Sequence, residues 1–351
     1  MTCYFLLPNL KGGGAERVSI NMARILKEEG YDVRFVCLGG DQGKMHSWLI
    51  PEFDVDFLYS GRALTAIFKL RRFFAERKDA LLFSSHEHIS IVSLLICKQL
   101  GLPAIVRIPT MPRNKIYSGL TGLKWRVIHL ISHKLLPSAK VVIVQTEAMR
   151  EQAMEFYHLP ESKVVTINNP LDKAYILSSA ERQPNPYTEE GPNFLTVGNI
   201  SHAKSIETLV EAFGIVKEKL PTARLTIVGS QDSKYARNLL SHLVIDESIH
   251  LTGFKENPYP YMKHCDVFVL SSRMEGFPNV LLEAMSFNKP VVSTTCVPII
   301  KKLVHPGVNG YYCDIESPVD LAECMVSAIQ LKDIHNDYQL FDKERFISLF
   351  K

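Results

Sequence analysis

Glu275 and Glu283 stand eight residues apart around the turn Gly276-Phe277-Pro278-Asn279, which runs into the apolar start Val280-Leu281-Leu282. Just upstream, Val267-Phe268-Val269-Leu270 reads as a buried strand. The order is therefore strand, turn, helix. A helix start after a strand offers unpaired backbone N–H groups and a positive dipole end, which suits an anion such as a diphosphate. Glu275 falls in the turn. Glu283 is expected about two turns into a helix that opens near Pro278. Two acids so placed could hold the two polar ends of one nucleotide-sugar, the hydroxyls of the sugar and those of the ribose. Two surface glutamates flanking an ordinary turn are the plainer alternative.

Two further groupings in the N-terminal half could do chemistry. Gly12-Gly13-Gly14-Ala15-Glu16-Arg17 follows an apolar run at 4–7 and opens a helical pattern over 15–29. Glycines there let the backbone approach a ligand and turn tightly. The spacing is not G-x-G-x-x-G, so dinucleotide binding fits poorly, and a tight turn without a ligand is the alternative. His86-Glu87-His88 follows a strand pattern at 80–84, which would put it at the carboxyl edge of a parallel sheet. His86 and His88 are candidates for acceptor binding or acid–base work. They lack a further ligand set, so no metal is expected. Arg107 ends the next strand pattern, at 104–108; an arginine can bind there but cannot act as a base at neutral pH.

The elements that must position these residues alternate. Strand patterns at 33–38 and 141–145 join those above, with a helical pattern at 90–100. A second series holds strands at 194–198, 224–228, 249–251, 267–270 and 291–294 and helices at 205–219, 235–243 and 279–287. Such β/α alternation predicts doubly wound parallel sheets, here two of them. The polar, proline-bearing stretch 178–192 reads as the boundary loop between them.

At 351 residues, with 46% hydrophobic and 22% charged residues, the chain has the composition of a two-domain globular α/β protein. The net charge of +3 hides an asymmetry. Residues 1–170 carry 22 Lys and Arg against 15 Asp and Glu, and residues 57–140 carry 14 against 3. An anionic surface or partner is expected for that half. The segment 120–136 sets Leu123, Trp125, Val127, Ile128, Leu130 and Ile131 among Lys124, Arg126, His129, His133 and Lys134. With Arg71-Arg72-Phe73-Phe74 it has the pattern of an interfacial patch for anionic membrane. A core helix with snorkelling cations fits equally. No nucleic-acid motif accompanies the charge, so nucleic acid is not expected. The seven scattered cysteines form no C-x-x-C and read as reduced, buried thiols. No secretory leader and no run of about 18 apolar residues is apparent, so the expected place is cytoplasmic, with peripheral attachment to the inner membrane face where the basic patch meets lipid.

The block Ser272-Arg273-Met274-Glu275-Gly276-Phe277-Pro278-Asn279-Val280-Leu281-Leu282-Glu283-Ala284-Met285 resembles the E-x7-E signature of retaining, family 4-type glycosyltransferases of the GT-B fold, in the polysaccharide-biosynthesis group. The resemblance implies two Rossmann-like domains facing across a cleft: residues 1–175 binding acceptor, 176–335 binding a nucleotide-sugar, and 336–351 forming a helix that crosses back to the first domain. It implies that Glu275 contacts the donor sugar, that Glu283 contacts the ribose, and that backbone around Gly276, Phe277, Pro278, Asn279 and Val280 holds sugar and phosphate. Gly12, Gly13, Gly14 and Arg17 resemble the family's G-G-A-E-R loop near donor phosphate and acceptor. Val197-Gly198-Asn199-Ile200-Ser201-His202-Ala203-Lys204-Ser205 is similar to V-G-R-L-x-x-x-K-G, whose basic residues clasp the diphosphate. Lys204 lands on the lysine and is expected to act in catalysis with Glu275, while Gly198 and Asn199 are expected to line the donor.

Three positions depart from the family pattern. Asn199 replaces an arginine and cannot supply a bidentate phosphate grip. Ser205 replaces a glycine. Lys302 stands where glutamate is usual, before the shared turn Gly307-Val308-Asn309-Gly310. Many relatives also carry a histidine after the strand at 104–108; here Arg107 is the nearest polar residue. The resemblance implies no cofactor and no metal, only a nucleotide-sugar co-substrate and a glycan or lipid-linked acceptor. A non-catalytic or regulatory binding protein on the same fold is one rival reading. An NAD-dependent dehydrogenase is the other, and Gly39-Gly40-Asp41 after the second strand matches it poorly.

Overall fold

The computed structural model describes residues 1–10, 12–43, 45, 49–60, 63–112, 123–336, 338 and 340–351, of which 63–64 and 123–126 by backbone alone. The chain divides into two compact units, Met1–Pro170 with Leu340–Lys351, and Leu171–Gln339.

The first unit contains β1 (Thr2–Leu7), α1 (Gly14–Glu28), β2 (Asp32–Cys37), β3 (Asp54–Phe57), α2 (Ala63–Phe74), β4 (Ala80–Ser84), α3 (Glu87–Leu100), β5 (Ala104–Arg107), α4 (Leu123–Leu135), β6 (Val141–Val144), α5 (Glu147–Tyr157) and β7 (Val164–Thr166). Its strands form one parallel sheet in the order β3-β2-β1-β4-β5-β6-β7. Both faces are covered, so β1 is buried from Cys3 to Leu7 and its alternate residues serve different cores. Cys3, Phe5 and Leu7 pack with Val18, Met22 and Leu26 of α1. Tyr4 and Leu6 share the opposite core with Leu70 and Phe74 of α2 and Ile89 of α3. The chain end returns to this unit. There α13 (Lys343–Ser348), capped by Asp342 accepting from Arg345 N–H at 2.9 Å, packs into the α1-side core. Phe346 and Phe350 are fully buried in it.

The second unit contains α6 (Lys173–Ala180), β8 (Asn193–Val197), α7 (Ile206–Lys219), β9 (Arg224–Val228), α8 (Lys234–Leu240), β10 (Ile249–Gly253), α9 (Tyr259–His264), β11 (Val267–Leu270), α10 (Asn279–Met285), β12 (Val291–Thr294), α11 (Ile300–Leu303), β13 (Gly310–Cys313) and α12 (Pro318–Ala328). Its parallel sheet runs β10-β9-β8-β11-β12-β13. Strand order reverses between β1 and β4 in the first sheet and between β8 and β11 in the second. In open α/β sheets, ligands bind at such switch points, beyond the carboxyl ends of the strands.

Three expectations need correction. Residues 178–192 are not a boundary loop. The units part after Pro170, and this stretch belongs to the second unit, held by Tyr187 Oη donating to Tyr261 O at 3.1 Å and by Asn257 Nδ2 donating to Ser179 O at 2.8 Å. Helix α10 opens at Asn279 and has seven residues, so Glu283 sits just over one turn in, about 6 Å along the axis, rather than two. The strands β3, β7 and β13 were not among the strand patterns. Each lacks the apolar run that marks the other strands: β3 carries two acids, β7 has three residues and β13 opens on a glycine.

Candidate active site

The turn after β11 and the loop after β8 come together because their strands are neighbours, with Val267 opposite Phe194 and Phe268 opposite Leu195. Lys204 Nζ lies 2.7 Å from Glu275 Oε1, and Ser272 Oγ donates to the same oxygen at 2.7 Å. Both charged side chains are mostly covered, 22% and 15% exposed, which strengthens their attraction over that of a surface pair. The scaffold around them is tied by hydrogen bonds to backbone carbonyls. Arg273 N–H donates to Ala203 O at 2.8 Å, and Ser271 Oγ donates to Lys204 O at 2.9 Å. The Arg273 guanidinium bonds His202 O at 2.9 Å and pairs with Glu207 at 2.7 Å and Glu316 at 2.6 Å. Sequence reasoning gave Arg273 no role; it clamps the two loops that carry Lys204 and Glu275.

Glycines set the clearances. A Cβ on Gly198 would come within 2.9 Å of Lys204 Cε, and one on Gly229 would meet Gly198 O at 1.9 Å. Ser205, in the family's glycine position, keeps the left-handed conformation at φ 48° and is fully buried, with its Oγ 2.8 Å from Thr208 Oγ1. Ser205 thus holds a φ that is unfavourable for a residue with a Cβ and that glycine adopts readily. Asn199 Oδ1 accepts from Ser230 N–H at 3.2 Å, joining the loops after β8 and β9. Gly276, Phe277 and Pro278 are buried and Asn279 and Val280 half-buried, so Phe277 could offer a ligand its backbone rather than its ring. Glu283 is buried, and Tyr338 lies nearby, donating to Leu282 O. Burial, with the negative charge of Glu283, pushes the Tyr338 phenol up to about 12. Burial and then the Glu275 carboxylate push the Cys296 thiol up to about 12, so Cys296 is not a thiolate nucleophile. Lys302 is an exposed surface charge, while Asn309 locks its turn by accepting from His305 N–H at 2.7 Å and donating to Leu303 O at 2.9 Å.

The first unit has a matching junction. His86 Nε2 lies 3.1 Å from Glu16 Oε1, joining the loop after β4 to the first turn of α1. Burial works to raise the Glu16 carboxyl, but the hydrogen bond and charge of His86 override it and leave it below its ordinary value. Gly12 takes φ 88°, and a Cβ on Gly13 would meet Glu16 Oε2 at 2.6 Å, so these two glycines have separate reasons. Gly14 begins α1, and Arg17 in its first turn is half-buried. His88 is exposed, its ring 6.0 Å from that of His86. Glu16 was missed as a site residue. Its signal was an acid in the first helical turn after one central strand, opposite a histidine after the other. Arg107 is fully buried rather than open to a ligand, donating to Ser85 Oγ at 2.8 Å and Asn169 Oδ1 at 2.6 Å. Among the described residues no group of three His, Cys, Asp or Glu could hold a metal ion.

Residues 12–175 match the family described as Glycosyltransferase Family 4, and residues 178–342 that described as Glycosyl transferases group 1. The chain belongs to the family 4-type, GT-B glycosyltransferases. An uncharacterized glycosyltransferase of Haemophilus influenzae is 26% identical to this glycosyltransferase, over 98% of this chain and 94% of that one. The N-acetylgalactosamine-N,N'-diacetylbacillosaminyl-diphospho-undecaprenol 4-alpha-N-acetylgalactosaminyltransferase of Campylobacter jejuni is 28% identical, over 82% of this chain and 78% of that one. Among solved structures, Anabaena HepE (Alr3699) in complex with UDP and glucose shares the fold, with a TM-score of 0.79 and 18% identity over 100% of this chain and 98% of that one.

Proposed function

We propose that this glycosyltransferase takes a sugar from a nucleotide-sugar and passes it, with retention of configuration, to a lipid-linked glycan during surface-polysaccharide synthesis. The observation that carries the reading is the Lys204–Glu275 contact at the β8/β11 switch point, a cation and an anion side by side where a ligand is expected. Lys204 would stabilise the negative charge that grows on the departing diphosphate, the kind of preorganised electrostatic help that contributes most to such reactions. Glu275 would accept hydrogen bonds from sugar hydroxyls, and Glu283 from ribose hydroxyls. Backbone at Gly276, Phe277, Pro278, Asn279 and Val280, with Gly198 and Asn199, would line the donor. Gly12, Gly13, Gly14, Arg17, His86 and His88 would serve the acceptor side, while Arg107, closed in by Ser85 and Asn169, would act only by holding the scaffold. Neither a metal nor another cofactor enters this scheme.

The lipid-linked acceptor draws support from the Campylobacter relative, named for transfer to a diphospho-undecaprenol, and from the surface of the first unit. Phe68, Val127 and Leu130 are exposed, on α2 and α4, both of which pack against α3. Exposed Lys69, Arg71, Arg72 and Lys134 accompany them. Of the expected patch, residues 120–122 and the side chains of Leu123, Lys124, Trp125 and Arg126 lie outside the described residues. A peripheral seat on anionic membrane follows from this pattern, and among the described residues no helix is long and apolar enough to cross one. Unaltered binding to phosphatidylglycerol vesicles after neutralising Lys69, Arg71, Arg72 and Lys134 would remove the membrane part.

A second reading, a binding protein without turnover, is favoured by Asn199, which leaves the diphosphate without a guanidinium. One experiment separates the two. The purified protein is screened against UDP-, GDP- and ADP-sugars by thermal shift and donor hydrolysis, with Lys204→Ala and Glu275→Ala alongside. A shift with one donor that Lys204→Ala loses, and hydrolysis that Glu275→Ala abolishes, is the expected result. A donor shift without turnover, even with lipid-linked acceptors added, would favour the second reading.

A further inference from the structure

Arg273 lies two residues before Glu275, in the turn after β11, and its side chain is 14% exposed. Its guanidinium reaches three segments at once. Nη1 donates to His202 O at 2.9 Å in the loop after β8, and lies 2.7 Å from Glu207 Oε1 in the first turn of α7. Nε lies 2.6 Å from Glu316 Oε1 in the loop between β13 and α12. A planar fork of N–H donors can span acceptors on three segments, whereas an ammonium is a single point charge on a flexible stem. Both carboxylates depend on this guanidinium. Glu207 Oε2 is buried without a hydrogen-bond partner, so Arg273 supplies the cation that offsets the burial of that group. Glu316 takes φ 59°, unfavourable for a residue with a Cβ, and Arg273 holds its carboxyl below the ordinary value by a hydrogen bond and by charge.

The backbone is joined at the same place. Arg273 N–H donates to Ala203 O at 2.8 Å and Met274 N–H to the same oxygen at 3.4 Å, while Ser271 Oγ donates to Lys204 O at 2.9 Å. None of these bonds uses the Lys204 ammonium or the Glu275 carboxylate. That independence matters for a reaction in which Lys204 serves a diphosphate. The ammonium lies 2.7 Å from Glu275, and to meet growing charge on a phosphate it must turn donors away from that carboxylate. If the ion pair alone joined the two loops, the same turn would loosen them. The Arg273 contacts join the loops whichever anion Lys204 faces.

We infer that Arg273 is a positioning residue for the transfer: it keeps the Lys204 loop in register with the Glu275 turn while Lys204 exchanges the carboxylate for the donor diphosphate. This rests on the proposed transfer and adds to it the residue that sets the relative placement of its two charged groups. Arg273 acts through Lys204 rather than on the donor. Its single positive charge faces two carboxylates, Glu207 and Glu316, which leaves no net positive charge there for a phosphate. Small displacements are costly at such a site, since a misplacement of about 1 Å can lower the rate by about a hundredfold.

The test compares the whole protein with Arg273→Lys, which keeps the charge and loses the fork, and with Glu316→Gln, which removes one arm at a 56% exposed position where folding is not at stake. Lys204→Met and the double variant Arg273→Lys/Lys204→Met complete the set. Amide hydrogen exchange is followed over residues 199–205 and 271–276, and hydrolysis of UDP-glucose, UDP-N-acetylglucosamine, GDP-mannose and ADP-glucose is measured in parallel. Arg273→Lys is expected to speed exchange of the Arg273 and Met274 amides about tenfold or more, the effect of losing one charge-assisted hydrogen bond. It should lower kcat about tenfold to a hundredfold, and Glu316→Gln should change both in the same direction by less. In the double variant kcat should match that of Lys204→Met within about twofold, because a residue that acts through Lys204 then has nothing left to position. Losses that multiply in the double variant, or exchange that neither Arg273→Lys nor Glu316→Gln alters, overturn the inference. A parent protein that hydrolyses none of the four donors faults the transferase reading instead, and the exchange data alone then decide: faster exchange keeps Arg273 as the group that holds the loops together, and unchanged exchange removes it.

Discussion

Glu16 Oε1 lies 3.1 Å from His86 Nε2, so one contact joins the loops that follow the two central strands of the first sheet. Lys204 and Glu275 do the same in the second sheet at 2.7 Å. Each unit thus places an acid and a base at the point where its strand order reverses. The two pairs differ in what the protein asks of them. The Lys204–Glu275 pair stands among loops tied by Arg273 and Ser271, where the proposed donor binds. The Glu16–His86 pair holds a glycine loop against its neighbour.

Removing either member of the second-sheet pair should strike turnover rather than folding. Lys204→Met and Glu275→Gln each preserve volume, and each is expected to lower kcat by about a hundredfold to a thousandfold, the usual loss when one preorganised electrostatic partner is deleted. Cooperative thermal unfolding should persist in both. Equal kcat in Lys204→Met and the parent, measured with the donor that shifts the melting curve, would remove Lys204 from the chemistry.

The glycines beside that pair should separate stability from function. A Cβ on Gly229 would fall 1.9 Å from the Gly198 backbone oxygen, which cannot yield without moving two loops. Gly229→Ala is expected to destabilise by about 1–3 kcal/mol, as overpacking does. A Cβ on Gly198 meets instead the flexible Lys204 Cε at 2.9 Å, but Gly198 sits at φ 156°, so some strain is added. Gly198→Ala should cost less in denaturant midpoint than Gly229→Ala and more in KM for the donor. The opposite ranking in urea melts and kinetics would contradict this geometry.

Much of the second sheet was legible in the sequence because buried parallel strands read as short apolar runs, and the run at 267–270 leads straight to Glu275. The short strands β3, β7 and β13 and the length of α10 were not: β3 carries Asp54 and Asp56, β7 has three residues, β13 opens on Gly310 with two half-buried tyrosines, and Phe287 extends the apolar pattern beyond Met285. Lys204 and Glu275 were both named from their motifs. Their contact depends on β8 and β11 being neighbours, which the order of strands along the chain does not reveal. Arg273 and Glu16 were overlooked for the same reason, because each acts on a loop distant in sequence. Arg107 looked accessible from its place at a strand end, and its burial arises from Ser85 and Asn169 closing over it.

The chain end gives a stability prediction. Phe350 is fully buried against Phe346 at a ring distance of 5.1 Å and Phe83 at 6.4 Å, although α13 has only six residues. Such a helix is held by packing, not by its own propensity. Phe350→Ala should destabilise the first unit by about 3–5 kcal/mol. A chemical melt following a probe in that unit should show the loss, and a change below about 1 kcal/mol would mean that the helix is not docked as described.

The Glu16–His86 contact predicts how stability changes in acid. The Glu16 carboxyl titrates below its ordinary 4.5 in the folded protein, because the His86 hydrogen bond and charge outweigh the burial that would raise it. The folded state therefore binds this proton less readily than the unfolded chain. The resulting stability is fully present above the unfolded value and is lost as pH falls through the lower folded value. Glu16→Gln removes that dependence. As pH falls below about 5, through the unfolded value and towards the lower folded one, unfolding free energy should fall less steeply in Glu16→Gln than in the parent. His86→Gln should flatten the same limb, since the two largest causes that lower Glu16 go with the imidazole while the burial that raises it stays. Parallel acid limbs in all three proteins, followed by urea melts at each pH, would mean that the contact does not form in solution.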